Sequence, residues 1–71
     1  MTNNLVWENN LDGIYRCYVL AQTDTYGYLR VEKIETGERL LDKEVAISKY
    51  FRTQDIINWG EMCMEAVFKH G

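Results

Sequence analysis

Proline is absent from this 71-residue chain, and histidine occurs once, at His70. Cysteine occurs twice, and no apolar run approaches the roughly 18 residues that a membrane helix needs. Each shortage excludes something. A general acid or base must be held within reach of its substrate, and a residue beside the C-terminal end is poorly held. His70 is therefore expected to be a solvated end residue, and no Ser–His or Cys–His pair can be assembled from it. Cys17 and Cys63 are too few for a secreted disulfide framework and are not spaced as a metal knuckle. They are expected to be buried, reduced thiols.

The remaining donors supply no usual zinc site. No G-x-G-x-x-G, Walker loop or calcium-loop spacing occurs either. The carboxylates Asp42, Glu44, Glu61 and Glu65 are scattered over positions that read as solvent-facing. No catalytic residue, metal site or cofactor is assigned, and the chain is expected not to be an enzyme. Positive charge is scarce as well: 8 Lys and Arg stand against 11 Asp and Glu, a net charge of −3. Nucleic-acid binders draw their affinity from a basic footprint, so the overall charge disfavours that class. The opening Met1-Thr2-Asn3-Asn4 is not a basic, apolar signal segment, and a cytoplasmic protein is expected.

What is present is an ordinary globular composition, 46% hydrophobic and 27% charged. One domain spans residues 1–71, near the lower size limit at which a core sustains folding unaided. Residues 3–8 suggest a short first strand, followed by the Asp12-Gly13 turn signal. Residues 14–22 are rich in β-branched and aromatic side chains and alternate. Tyr15, Cys17, Val19 and Ala21 share one face, while Ile14, Arg16, Tyr18 and Leu20 share the other. Residues 28–34 alternate again, with Leu29 and Val31 opposite Tyr28, Arg30 and Glu32.

Gly37 supplies the positive φ of a tight turn over residues 35–38. A strand over 39–47 follows, with a phase change after Leu40-Leu41 that suggests a bulge near Asp42-Lys43. Beyond residue 52 the apolar period becomes helical. Thr53 or Asp55 would cap a helix running to about Lys69, with charges of favourable sign at both ends. The expected fold is α+β: an antiparallel meander of three or four strands, with one C-terminal helix packed on one face.

Two surfaces are candidates for binding. The first is the sheet face away from the helix, where Arg16, Tyr18, Tyr28 and Arg30 interleave aromatics with arginines. Single-stranded nucleic-acid readers use that combination, although tyrosine and arginine are also good exposed-strand residues. The second lies on the helix. Ile56, Trp59, Cys63, Ala66 and Val67 form a core face, with Gly60 near its middle permitting close approach to the sheet. Ile57, Met64 and Phe68 form a further apolar row, which widens the apolar arc to roughly 200°. That row is expected to be covered within the monomer, by Leu5 and Trp7 or by Tyr50 and Phe51. Otherwise it meets a second copy or a protein partner.

The segments Tyr15-Arg16-Cys17, Thr36-Gly37-Glu38 with Leu40-Leu41, and Asp55 followed by Trp59 resemble short uncharacterised reading frames of bacteriophage genomes. That resemblance brings no activity and no functional residue with it. The small, acidic, motif-free character of the chain fits a phage or mobile-element accessory protein that binds and modulates a host protein. In element order, strands followed by a helix, the chain also resembles AP2-type and integrase-arm DNA-binding domains. Those have a basic sheet, whereas Glu32, Asp42 and Glu44 intrude here. The function expected is a small protein-interaction module, monomeric or homodimeric; the alternative is a nucleic-acid reader working through the sheet face.

Overall fold

In a computed structural model, the protein is described over residues 4–47 and 52–70, the His70 side chain excepted. Four strands, β1 (Asn4–Leu11), β2 (Tyr15–Ala21), β3 (Tyr26–Lys33) and β4 (Arg39–Ala46), precede one helix, α1 (Thr53–His70). The strands form one antiparallel sheet in the order β1-β2-β3-β4. The expected α+β meander with a C-terminal helix is the observed one. β1 runs to Leu11 rather than ending at Glu8, and it pairs with β2 along its whole length.

Short turns make this topology local. Asp12 and Gly13 adopt φ of 55° and 69°, positive at both central residues of the turn, within a three-residue connection that leaves Leu11 opposite Tyr15. The Ile14 N–H closes it onto the Leu11 carbonyl at 3.0 Å. Between β2 and β3 the Thr23 hydroxyl accepts the N–H groups of Thr25 and Tyr26 at 3.1 and 3.2 Å, replacing part of a backbone turn with a side chain. Gly37 has φ of 74° in the third turn, as its position among residues 35–38 requires.

Alternation places Cys17, Val19, Leu29 and Val31 on the inner face, all fully buried. α1 lies across β3 and β4 on that side and adds Trp59, Cys63 and Ala66 to the same core. Trp59 also reaches Trp7 of β1, ring centroids 6.0 Å apart at 50°, an aromatic contact that ties the far edge strand to the helix. Ile47 closes the core beyond the end of β4.

Three local expectations are corrected. The bulge in β4 falls at Leu40, not at Asp42-Lys43: Val31 pairs with Leu41 and Glu32 with Arg39, leaving Leu40 as the extra residue. A second register shift, at Val6 of β1, has no counterpart in the sequence reading. The helix cap is neither Thr53 nor Asp55. The Arg52 carbonyl accepts the N–H of Ile56 at 3.3 Å, making Arg52 the capping residue. Asp55 reaches back to accept the Arg52 N–H at 2.8 Å. This is the reciprocal half of a capping box, and it also sets a negative charge at the helix N-terminus.

The third correction concerns glycine. A Cβ at Gly60 would meet nothing within 4 Å, so Gly60 permits no close approach. Gly27 is the constrained position. There a Cβ would collide with the Leu20 carbonyl oxygen and come within 2.6 Å of Ile47 Cδ1.

Candidate functional site

Arg16, Tyr18, Tyr28 and Arg30 do share the outer sheet face, because β2 and β3 pair with Tyr18 opposite Arg30 and Leu20 opposite Tyr28. The face is not an open stacking platform of the kind the nucleic-acid alternative requires. Tyr18 is only 5% exposed, although no described helix covers it. The Arg16 guanidinium lies over the Tyr18 ring, 4.4 Å from its centroid, and Arg30 bonds Tyr18 from the neighbouring strand. Arg16 therefore forms the lid of this tyrosine, and Arg30 is its partner from β3.

Those arginines are themselves held. Arg16 forms an ion pair with Glu8 of β1, and its pKa is raised chiefly by that hydrogen bond. Arg30 Nε donates to Asp42 Oδ1 of β4 at 3.2 Å. Burial pulls Arg30 down, but its bonds to Asp42 and Tyr18 outweigh burial and leave the pKa raised. Arg39 joins Glu32 and Asp42, at 3.2 Å in each case. The row Glu8-Tyr18-Arg30-Asp42 thus crosses all four strands, with a carboxylate at each edge. Three arginines share the outer face with Glu8, Glu32, Asp42 and Glu44, so it carries no positive excess.

Tyr28 is half-buried. It stacks edge-on with Tyr26, centroids 6.3 Å apart at 85°, and receives Arg30 at 5.7 Å.

The row on α1 is exposed. Ile57, Met64 and Phe68 show 46%, 40% and 75% of their surface to solvent. Cover by the N-terminal segment is overturned, because Trp7 packs against Trp59 and Leu5 is itself 48% exposed. Tyr50 and Phe51, the other expected cover, lie outside the described residues. The core face of the helix is as expected, with Trp59, Cys63 and Ala66 buried and Ile56 and Val67 packed beside them.

Cys17 and Cys63 are both unpaired by disulfide and buried. They meet thiol to thiol across the sheet–helix interface, and Cys63 is pushed far up by its hydrogen bond to Cys17 and by burial. A thiol so held stays protonated at neutral pH and lacks the thiolate that reactivity requires. Among the described residues no three His, Cys, Asp or Glu side chains gather as a metal site. None of the described helices is long and apolar enough to cross a membrane.

One feature escaped the sequence reading altogether. Between β4 and α1 lies a cleft of about 260 Å³, lined by the apolar Leu40, Leu41, Met62 and Ala66 and by the charged Lys43, Glu65 and Lys69. The doubled Leu40-Leu41 and the lysine at an inward strand position were its visible signals. No protein-family model matches the chain, no curated protein matches it, and no solved structure matches its fold.

Proposed function

We propose that this chain is a small non-enzymatic protein-interaction module that presents α1 to a protein partner. The observation that carries the reading is the exposed row Ile57, Met64 and Phe68. It lies beside the core face of the helix, with nothing among the described residues laid over it. Contiguous exposed apolar side chains on a small domain mark an interface more often than they serve stability. The ion-paired sheet face supports the same reading against its alternative, a nucleic-acid reader. Arg16, Arg30 and Arg39 already hold carboxylates, and freeing them for phosphate would break those pairs. The small size, net charge of −3 and absence of catalytic motifs fit an accessory protein that modulates a host protein.

The test is a comparison of the parent with a Met64→Lys, Phe68→Lys double variant. Light scattering measures self-association, and affinity capture from a lysate of the organism carrying the gene measures partner binding. Circular dichroism confirms that both proteins are folded. The double variant is expected to fold and to lose whatever the parent retains. Unchanged association and capture would remove the row as an interface. Binding of a labelled oligonucleotide that weakens steeply across a salt series would favour the nucleic-acid reading instead.

A further inference from the structure

β4 is an edge strand, and its outward side pairs with no other strand among the described residues. Its inner-face positions, read from the register, are Leu41, Lys43 and Val45. Lys43 is the anomaly. It continues the row Trp7-Val19-Leu29 and yet is a charged residue on the core side of the sheet. An inward lysine and a bulge at an edge are devices that discourage edge-to-edge pairing. That role explains Lys43 alone. It does not explain why Lys69, at the C-terminal end of α1, borders the same cleft.

Nor does edge protection explain the charge accounting. The three arginines of the outer face all hold carboxylates, whereas Lys43 and Lys69 have no ion-pair partner among the described residues. Glu65 borders the cleft but pairs with neither lysine, so the rim keeps a positive excess. The floor between Leu41, Met62 and Ala66 is apolar, and its volume of about 260 Å³ has room for a large side chain.

We propose that this cleft receives an extended acidic segment of a partner protein, added along β4 as a fifth strand. The proposal rests on reading the chain as a protein-interaction module, but it uses a surface separate from the Ile57, Met64 and Phe68 row. In an added strand, alternate side chains face the cleft, because the strand period is two. One would stand beside Leu41 and the next but one beside Lys43. The recognised pattern is therefore an apolar residue and an acidic residue separated by one position. The apolar side chain enters the cleft, and the carboxylate meets Lys43 and Lys69 at its rim.

A second copy of this chain does not fit. Its β4 would offer Leu41, Lys43 and Val45, setting lysine against lysine, and its other edge, β1, offers Trp7, Asn9 and Leu11 with no carboxylate. The edge thus rejects itself and selects an acidic strand with the same residue.

The test uses the full chain and a fluorescein-labelled, end-capped nonapeptide of threonines carrying one leucine and, two positions on, one aspartate. A second peptide has lysine in place of the aspartate, and a third is N-methylated at alternate residues to remove its strand hydrogen bonds. Anisotropy titrations against the parent and Lys43→Glu, with amide shift mapping by NMR, read the outcome. The acidic peptide is expected to bind the parent at least about tenfold more tightly than either control. Lys43→Glu should reverse the preference toward the lysine peptide, and the shifted amides should lie in β4. The Met64→Lys, Phe68→Lys variant should bind the acidic peptide as the parent does, which separates this site from the helix row. No binding at about 1 mM peptide, or equal binding by Lys43→Glu, would overturn the proposal. So would displacement by decanoate of an N-methylated peptide bound as tightly as the parent peptide, which would mark the cleft as a site for small carboxylates.

Discussion

The two faces of the sheet are built from the same four strands and are buried by different means. On the inner face Cys17, Val19, Leu29 and Val31 lose all exposure to a helix that lies over them. On the outer face Tyr18 loses nearly as much with no described element above it: Arg16 lies across its ring, Arg30 stands opposite it on β3, and the two arginines are anchored by Glu8 and Asp42. The inner face excludes water with apolar area, at roughly 25 cal/mol per Å² buried. The outer face does so with the aliphatic stems of charged side chains, whose heads remain in water. Exposure therefore does not follow from which face of the sheet a residue occupies.

The largest test of that contrast is Trp59→Ala. Trp59 joins the helix to the inner face and to Trp7 of the far edge strand. Its truncation is expected to cost about 3–5 kcal/mol, the usual range for a buried large aromatic. A domain this small has few kcal/mol in reserve, so the variant should fail to melt cooperatively at ambient temperature. Tyr18→Ala asks whether the arginine lid makes a core. If it does, the loss is about 1.5–3 kcal/mol in a denaturant melt, the value of a buried large side chain. A change within about 0.5 kcal/mol would mark Tyr18 as an ordinary surface position.

Gly27→Ala probes shape rather than area on the inner face. The new methyl would meet the Leu20 carbonyl, which as backbone cannot swing away, as well as Ile47. A cost of about 1–3 kcal/mol is expected from such overpacking. Gly60→Ala, where the space is open, should be neutral or stabilising, gaining up to about 1 kcal/mol of helix propensity. The smallest effect belongs to Asp42→Asn, which removes a partner from both Arg30 and Arg39. These pairs are partly exposed, so the loss should stay below about 1 kcal/mol and shrink as salt is added. A larger, salt-insensitive loss would show that the Asp42 pairs hold Arg30 beside Tyr18.

Period alone made much of this fold legible. Alternation in β2 and β3 sorted Cys17, Val19, Leu29 and Val31 to one face, and the helical period identified Trp59, Cys63 and Ala66 as the residues that meet them. Gly37 and Asp12-Gly13 marked turns because few other residues tolerate positive φ. These are short-range properties, decided by sterics within a few residues, and they need no knowledge of partners across the fold.

The candidate surfaces were legible in composition but not in state. Arg16, Tyr18, Tyr28 and Arg30 could be placed on one face. Whether the arginines were free depended on Glu8 and Asp42, carboxylates from the two edge strands. The register that sets them opposite Tyr18 and Arg30 emerges only when all four strands have paired. The same holds for the Leu40 bulge, for Gly27 rather than Gly60 as the tight position, and for the cleft between β4 and α1. Each is a relation between residues distant in sequence. What the chain determined by itself was which side each residue takes on its own element. What only the tertiary structure decided was what stands opposite it, because burial and ion pairing are properties of contacts and not of positions along a chain.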